Sequence, residues 1–169
     1  MEKFEDYIIE EPFDPQTRID SYKNLEPEFW KKKSLKEMSD EEWEALCSGC
    51  GKCCLNKLET KEKIRFTNVC CRFFDKQSCL CKVYENRFLA VDDCLEINLS
   101  AIREQPRWLP KTCTYWLLDN GQDLPDWHPL KTGRADSVHT AKMSLKDRNL
   151  ISEAGVRNYE NYVVDWPDL

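Results

Sequence analysis

Residues Cys47-Ser-Gly-Cys50-Gly-Lys-Cys53-Cys54 carry four sulfurs in C-x2-C-x2-C-C spacing. Thiolates are soft ligands that suit zinc and iron, and two residues between cysteines let a tight turn aim both sulfurs at one ion. Gly49 and Gly51 give that turn its backbone freedom. Further along stand Cys70-Cys71, the pair Cys79-Leu-Cys81, Cys94 and Cys113, so all ten cysteines fall between residues 47 and 113. Four sulfurs saturate a tetrahedral zinc, and this segment has more than twice that number. Two metals, one polynuclear cluster, or one site plus buried structural cysteines are all compatible with the count. Adjacent cysteines do not easily chelate the same ion, so one of Cys70 and Cys71 is expected to ligate. Cys113, beside Tyr115 and Trp116, reads either as a ligand or as a buried small hydrophobe.

Iron competes with zinc. The ferredoxin run C-x2-C-x2-C-x3-C-P shares its first three positions with this string but departs at the fourth, because Cys54 follows Cys53 directly. Spacing therefore does not choose between zinc and an iron–sulfur cluster. A thioredoxin-like exchange motif would need a βαβ pattern around its C-x-x-C, and none is visible. His128, between Trp127 and Pro129, reads as a loop-anchoring hydrogen bonder before a ligand or proton carrier. His139 reads as surface.

The rest of the composition narrows the class. In 169 residues there is room for one domain, and 33% charged residues against 41% hydrophobic ones predict a small apolar core with additional support. The start of the sequence is acidic and lacks a basic segment followed by an apolar run, and no stretch approaches a membrane span. The expected compartment is the cytoplasm, where thiols stay reduced, so the cysteines point to metal or redox chemistry before disulfides. The net charge of −6 is uneven: residues 47 to 113 hold twelve Lys or Arg against eight Asp or Glu, leaving a strongly acidic remainder. Basic neighbours suit thiolates, and the overall acidity argues against nucleic acid. No G-x-x-x-x-G-K-[ST] string or Gly-rich fingerprint is present, so no nucleotide cofactor is expected.

The elements that must position the sulfurs are short. Residues 1–24 read as an acidic arm broken by Glu11-Pro-Phe-Asp-Pro15, and residues 25–169 as the cysteine-cluster domain. A short helix is predicted after Pro27, presenting Phe29 and Trp30. Ser39 with Glu42 forms a capping box ahead of a helix carrying Trp43 and Leu46 into Cys47. Residues 64–69 alternate as a strand, residues 75–78 turn, and residues 81–84 read as a returning strand. Helices are expected at 99–103 and 110–119, the second with Pro110 in its first turn and Gly121 at its cap. A strand is expected at 141–145 and a helix near 150–154.

Taken together, Cys47 to Cys54, then Cys71, then Cys81-Lys-Val-Tyr-Glu-Asn-Arg87 with Cys94 beyond, resemble the YkgJ-type cysteine-cluster proteins, whose cysteines are taken to chelate zinc or iron. The YcgN-like branch resembles it more closely, through Phe29-Trp30, Met38-Ser-Asp-Glu-Glu-Trp43, Phe66-Thr-Asn68, Cys79 with Cys81, Trp108-Leu-Pro-Lys-Thr-Cys113-Thr-Tyr115, and Trp127-His-Pro-Leu130 with Thr132-Gly133. The likeness spans roughly residues 28 to 166. It selects Cys71 over Cys70. It also departs in one place: the wider group carries Arg-Pro before its last cysteine, whereas Phe88 follows Arg87 here. Relatives in the wider group are linked to protein lysine methylation.

These readings give one small α+β domain, mostly helical and irregular, with one or two short β-hairpins organised around a cysteine-ligated metal cluster. The expected ligands are Cys47, Cys50, Cys53, Cys54, Cys71, Cys79, Cys81 and Cys94. The expected cofactor is zinc or iron, as ions or as an iron–sulfur cluster. The expected function is metal binding without catalysis of its own. The alternatives are an iron-dependent enzyme acting on a protein side chain, and a thiol redox switch. Partners are metal ions and a candidate partner protein, with neither nucleic acid nor membrane.

Overall fold

Eight prolines and five glycines punctuate the chain, and the helices they leave are short. The structure, a computed structural model, describes residues 14–169. Among these residues the longest helix is α1, Pro15–Ser21, started by the Asp14 side chain accepting from the Gln16 N–H and by Pro15 at its first position. A 3-10 turn at Tyr22–Asn24 follows. The described part of the segment expected to be an arm thus folds as helix, with Ile19 buried; residues 1–13 lie outside the described residues.

Helix α2, Phe29–Lys32, buries Phe29 and Trp30 as expected. Helix α3, Asp40–Ala45, opens with the expected capping box: Ser39 Oγ accepts from the Glu42 N–H at 3.2 Å and the Glu42 carboxylate accepts from the Ser39 N–H at 2.9 Å. The helix ends at Leu46, which is fully buried, and hands the chain to Cys47.

Strands β1, Leu55–Glu59, and β2, Ile64–Cys70, form an antiparallel hairpin closed by the Thr60 N–H donating to the Lys63 carbonyl at 2.9 Å. The register shifts between Leu55 and Lys57, a bulge that Thr67 Oγ1 stabilises by donating to the Asn56 carbonyl at 2.7 Å. The expected partner strand at 81–84 is reduced to a single bridge, Phe74 with Cys81, because a 3-10 turn at Tyr84–Asn86 takes the chain away into α4, Arg87–Ala90.

Helix α5, Leu99–Glu104, matches expectation. Helix α6, Thr114–Asp119, starts later than Pro110 would set it, with Cys113 as its N-cap; Gly121 follows its end in left-handed backbone, φ 73°. Helices α7, Pro129–Thr132, and α8, Ser137–Thr140, complete the set. Residues 141–145 form no strand: they turn, and the fully buried Leu145 donates its N–H to the Cys50 carbonyl at 2.9 Å. Where a helix was expected near 150–154, Ile151–Ser152 is instead strand β3, parallel to β2 through Val69 and Cys70, in the sheet order β1-β2-β3.

Apolar burial is divided among three small cores. The first gathers Phe29, Trp30, Leu46, Ile102, Leu109, Cys113 and Tyr115 from the helices. The second packs Leu55, Phe66, Cys70, Phe74, Cys79, Leu145 and Leu169 around the sheet. The third is only Phe73, Val83 and Ala90. Cysteines sit on the flanks of all three: Cys47 on the first, Cys54 and Cys71 on the second, Cys71 and Cys81 on the third.

Candidate metal centre

Residues 47–54 run as a loop from the end of α3 into β1. Gly49 and Gly51 both adopt left-handed backbone, φ 75° and 78°. At Gly51 an added Cβ would stand 2.6 Å from Phe74 Cε2, so the ring packs on bare backbone and only glycine fits.

The loop is fastened from three directions. Arg18 of α1 donates to the Cys47 carbonyl at 3.2 Å. Leu145 holds the Cys50 carbonyl. Lys52, fully buried, reaches Thr112 Oγ1 at 2.8 Å and the Asp168 carboxylate at 2.5 Å. Arg148 binds the same carboxylate through both terminal nitrogens, at 3.0 and 2.5 Å. Burial works against the charge on Asp168, but hydrogen bonds from Arg148 and Lys52 outweigh it and hold the carboxyl at about 2.

Seven cysteines, Cys47, Cys53, Cys54, Cys71, Cys79, Cys81 and Cys94, line one cavity of about 270 Å³, with Trp43, Tyr84, Trp108 and Tyr115 also on its wall. Cys50 and Cys113 are outside that lining, and each has Cys47 and Cys53 as electrostatic neighbours. All ten cysteines are free thiols. Burial pushes the Cys50 and Cys113 thiols up to about 12 and the Cys71 and Cys79 thiols up to about 11, and it raises Cys47, Cys81 and Cys94 as well. Cys53 goes the other way. The Cys54 thiol donates to it, Lys57 and Arg87 lie near, and together they favour its thiolate over the burial that opposes it. The same bond raises Cys54. Lys57 is half-buried beside Cys53, Cys54 and Cys94, and its Nζ donates to the Cys53 and Leu55 carbonyls at 3.1 and 2.7 Å.

The donor chemistry fits a thiophilic cation. Burial opposes ionisation of most of these thiols, and a bound cation would take the place of their protons and add to the charge of Lys57 and Arg87. As the side chains stand, no group of three or more His, Cys, Asp or Glu among the described residues is arranged to hold an ion.

The remaining expectations sort cleanly. Cys70 is buried in the second core, away from the cavity. Cys79 lies in the wall, yet its thiol is hydrogen-bonded with the Ser144 hydroxyl and with the backbone of Leu145 and Lys146. His128 is a loop anchor: Nε2 contacts the Leu46 carbonyl at 2.9 Å and Nδ1 accepts from the Leu130 N–H at 3.1 Å. That pair of bonds requires the neutral ring protonated on Nε2, and burial lowers its pKa to about 4. His139 is only partly buried and contacts Ser144 Oγ at 2.7 Å. Sequence reasoning missed Arg18, Lys52, Lys57 and Asp168. Lys52 had one signal, its place between the cysteines; the others look like any surface charge until the chain is folded.

No family model matches the chain, and no solved structure does. Its sequence relatives are plain, however. It is 48% identical to a UPF0260 protein of Granulibacter bethesdensis over 82% of this chain and 84% of that one. A UPF0260 protein of Vibrio vulnificus is 44% identical over 83% of this chain and 97% of its own. The chain belongs to the UPF0260 family. A UPF0260 protein of Agrobacterium fabrum, 50% identical over 82% of this chain and 87% of its own, extends the relationship. The UPF0260 name carries no ligand, activity or partner, so the site must be read from its own geometry. Among the described residues no helix is long and apolar enough to cross a membrane.

Proposed function

We propose that this chain is a thiolate metal-binding protein that takes zinc or iron, with the ion organising the fold. One observation carries the reading: seven cysteines line a single cavity at the seam of three small cores. Cys47, Cys53, Cys54, Cys71, Cys81 and Cys94 of that wall, with Cys50 of the same loop, are the residues that would hold the metal; Cys79, the eighth expected ligand, has its thiol engaged by Ser144. A bound metal supplies a cross-link between the 47–54 loop, the end of β2 and the segment around Cys94, which is support that the divided apolar burial does not give. The likeness of the cysteine string to the YkgJ-type proteins, and to their YcgN-like branch, points the same way. A reducing cytoplasm would keep the thiols free for ligation.

The role proposed is metal binding without catalysis of its own, and His128, with both ring nitrogens on backbone groups, is a structural anchor in this reading. A protein partner would find exposed apolar groups next to the cavity residues Tyr84 and Arg87: Tyr84 itself and Phe88 and Leu89 of α4 are exposed, and Arg87 stacks on the Tyr84 and Phe88 rings, 3.9 and 4.3 Å from their centroids.

Elemental analysis and an absorption spectrum of the anaerobically purified full chain test this. At least one zinc or iron per chain is expected, and its removal by a chelator should lower the melting temperature. Visible charge-transfer bands would identify iron, and a colourless zinc protein would exclude a cluster. A metal-free chain whose melting temperature ignores chelators would overturn the reading.

The contact between the Cys53 and Cys54 thiols favours a second reading, thiol exchange. Thiol counting on freshly isolated protein separates the two. Ten reactive thiols after chelation support ligation, and a reducible Cys53 disulfide supports exchange.

A further inference from the structure

We propose that eight of the thiols divide into two four-sulfur sites, Cys47/Cys50/Cys53/Cys113 and Cys54/Cys71/Cys81/Cys94, each for one thiophilic divalent cation. The proposal rests on the metal-binding reading above and extends it to nuclearity, to the inclusion of Cys113 and to the exclusion of Cys79.

The division falls between Cys53, inside the 3-10 turn Lys52–Cys54, and Cys54, which leads into β1. Neighbouring residues do not chelate one tetrahedral ion easily, and four sulfurs fill its coordination sphere.

The first group is gathered by the helices. Thr114 Oγ1 donates to the Leu46 carbonyl, which ties the residue after Cys113 to the residue before Cys47. Both cysteines pack on the first core. Cys50 and Cys53 belong to the same loop. Cys113 has Cys50, Cys53 and Cys47 as electrostatic neighbours, and Cys50 has Cys53 and Cys47.

The sheet gathers the second group. The Cys71 N–H donates to the Cys54 carbonyl at 3.0 Å. The Phe74 N–H donates to the Cys71 carbonyl at 3.0 Å, and the Phe74–Cys81 bridge returns Cys81 to that turn. Cys71 and Cys81 pack together on the third core. Cys94 completes the set on the cavity wall, with Cys81 and Cys71 as neighbours. Cys53 neighbours this group as well, so the sites adjoin across the Cys53–Cys54 peptide. Cys70 and Cys79 belong to neither group: Cys70 is buried in the second core, and the Cys79 thiol is engaged by Ser144 and the backbone that follows it.

The test loads the reduced, metal-free full chain with Co2+ under anaerobic conditions, counting ions by native mass spectrometry and reading tetrahedral thiolate bands in the visible spectrum. Two ions per chain are expected. Cys113→Ser and Cys94→Ser should each hold one, and Cys79→Ser should hold two. If Cys113→Ser does not fold, Cys113→His keeps a ligand in place and should hold two ions with shifted bands. One ion in the unmodified chain overturns the division, as do three or more, which would require bridging thiolates. Two ions with native bands in Cys113→Ser or Cys113→His, or the loss of one in Cys79→Ser, overturn the assignment. An unmodified chain that binds no Co2+ and no Zn2+ overturns the metal-binding reading itself, a result distinct from all of these.

Discussion

Lys52 Nζ lies 2.5 Å from the Asp168 carboxylate, and the lysine has no exposure to solvent. This pair joins the middle of the cysteine string to the last residues of the sequence. A buried charge that loses its partner is strongly destabilising. Asp168→Asn leaves both Lys52 and Arg148 facing a neutral amide, and it should cost about 3 kcal/mol in urea unfolding. Lys52→Met should cost clearly less, because Arg148 still holds Asp168. Equal losses in the two variants would contradict this arrangement.

The loop glycines should differ in their tolerance. Gly51→Ala meets a rigid ring at 2.6 Å as well as an unfavourable φ, and should cost about 3 kcal/mol. Gly49→Ala meets only the tip of Arg18 at 3.2 Å, and should cost about 1 kcal/mol. Thermal melts of the two variants read the difference.

Acid should weaken the fold through His128. Its pKa falls from 6.5 to about 4 on folding, so between those values the unfolded chain binds the proton and the folded chain refuses it. Stability from this residue is complete above pH 6.5 and is lost as pH falls to about 4, by about 3 kcal/mol. Urea midpoints measured across that window should fall more gently in His128→Asn than in the unmodified chain. Asp168 adds a loss at lower pH, between its ordinary 3.8 and about 2.

Cysteine substitutions should split by position. Cys50→Ser and Cys53→Ser should lower both metal content and melting temperature sharply. Cys70→Ser places a hydroxyl in the second core, and it should cost about 1 kcal/mol with metal content unchanged. Retention of full metal by the first two variants would count against their role as ligands.

Local signals in the sequence were legible where local chemistry decides the structure. Ser39 and Glu42 specify the start of α3 by themselves, and the alternating Ile64-Arg-Phe-Thr-Asn-Val69 specifies β2. Long-range pairing was not legible. Leu55-Asn-Lys-Leu-Glu59 is too polar to announce β1, which exists because β2 lies beside it. Ile151 is a strand because it pairs with Val69, a partner far away in sequence. Leu145 has strand chemistry but is buried by a turn that serves the Cys50 carbonyl. The cysteine string could be read at once, whereas the place of Cys113 depends on the Thr114–Leu46 contact, which no spacing records.

The three fastenings of the 47–54 loop come from Arg18, Leu145 and the Lys52–Asp168 pair. Two of them are made by residues translated long after the cysteines. During synthesis the sulfur-rich loop therefore emerges with Arg18 as the one fastening already made, and it lacks the other two until Leu145 and then Asp168 have left the ribosome. Over that interval its thiols are open to whichever ion or oxidant reaches them first.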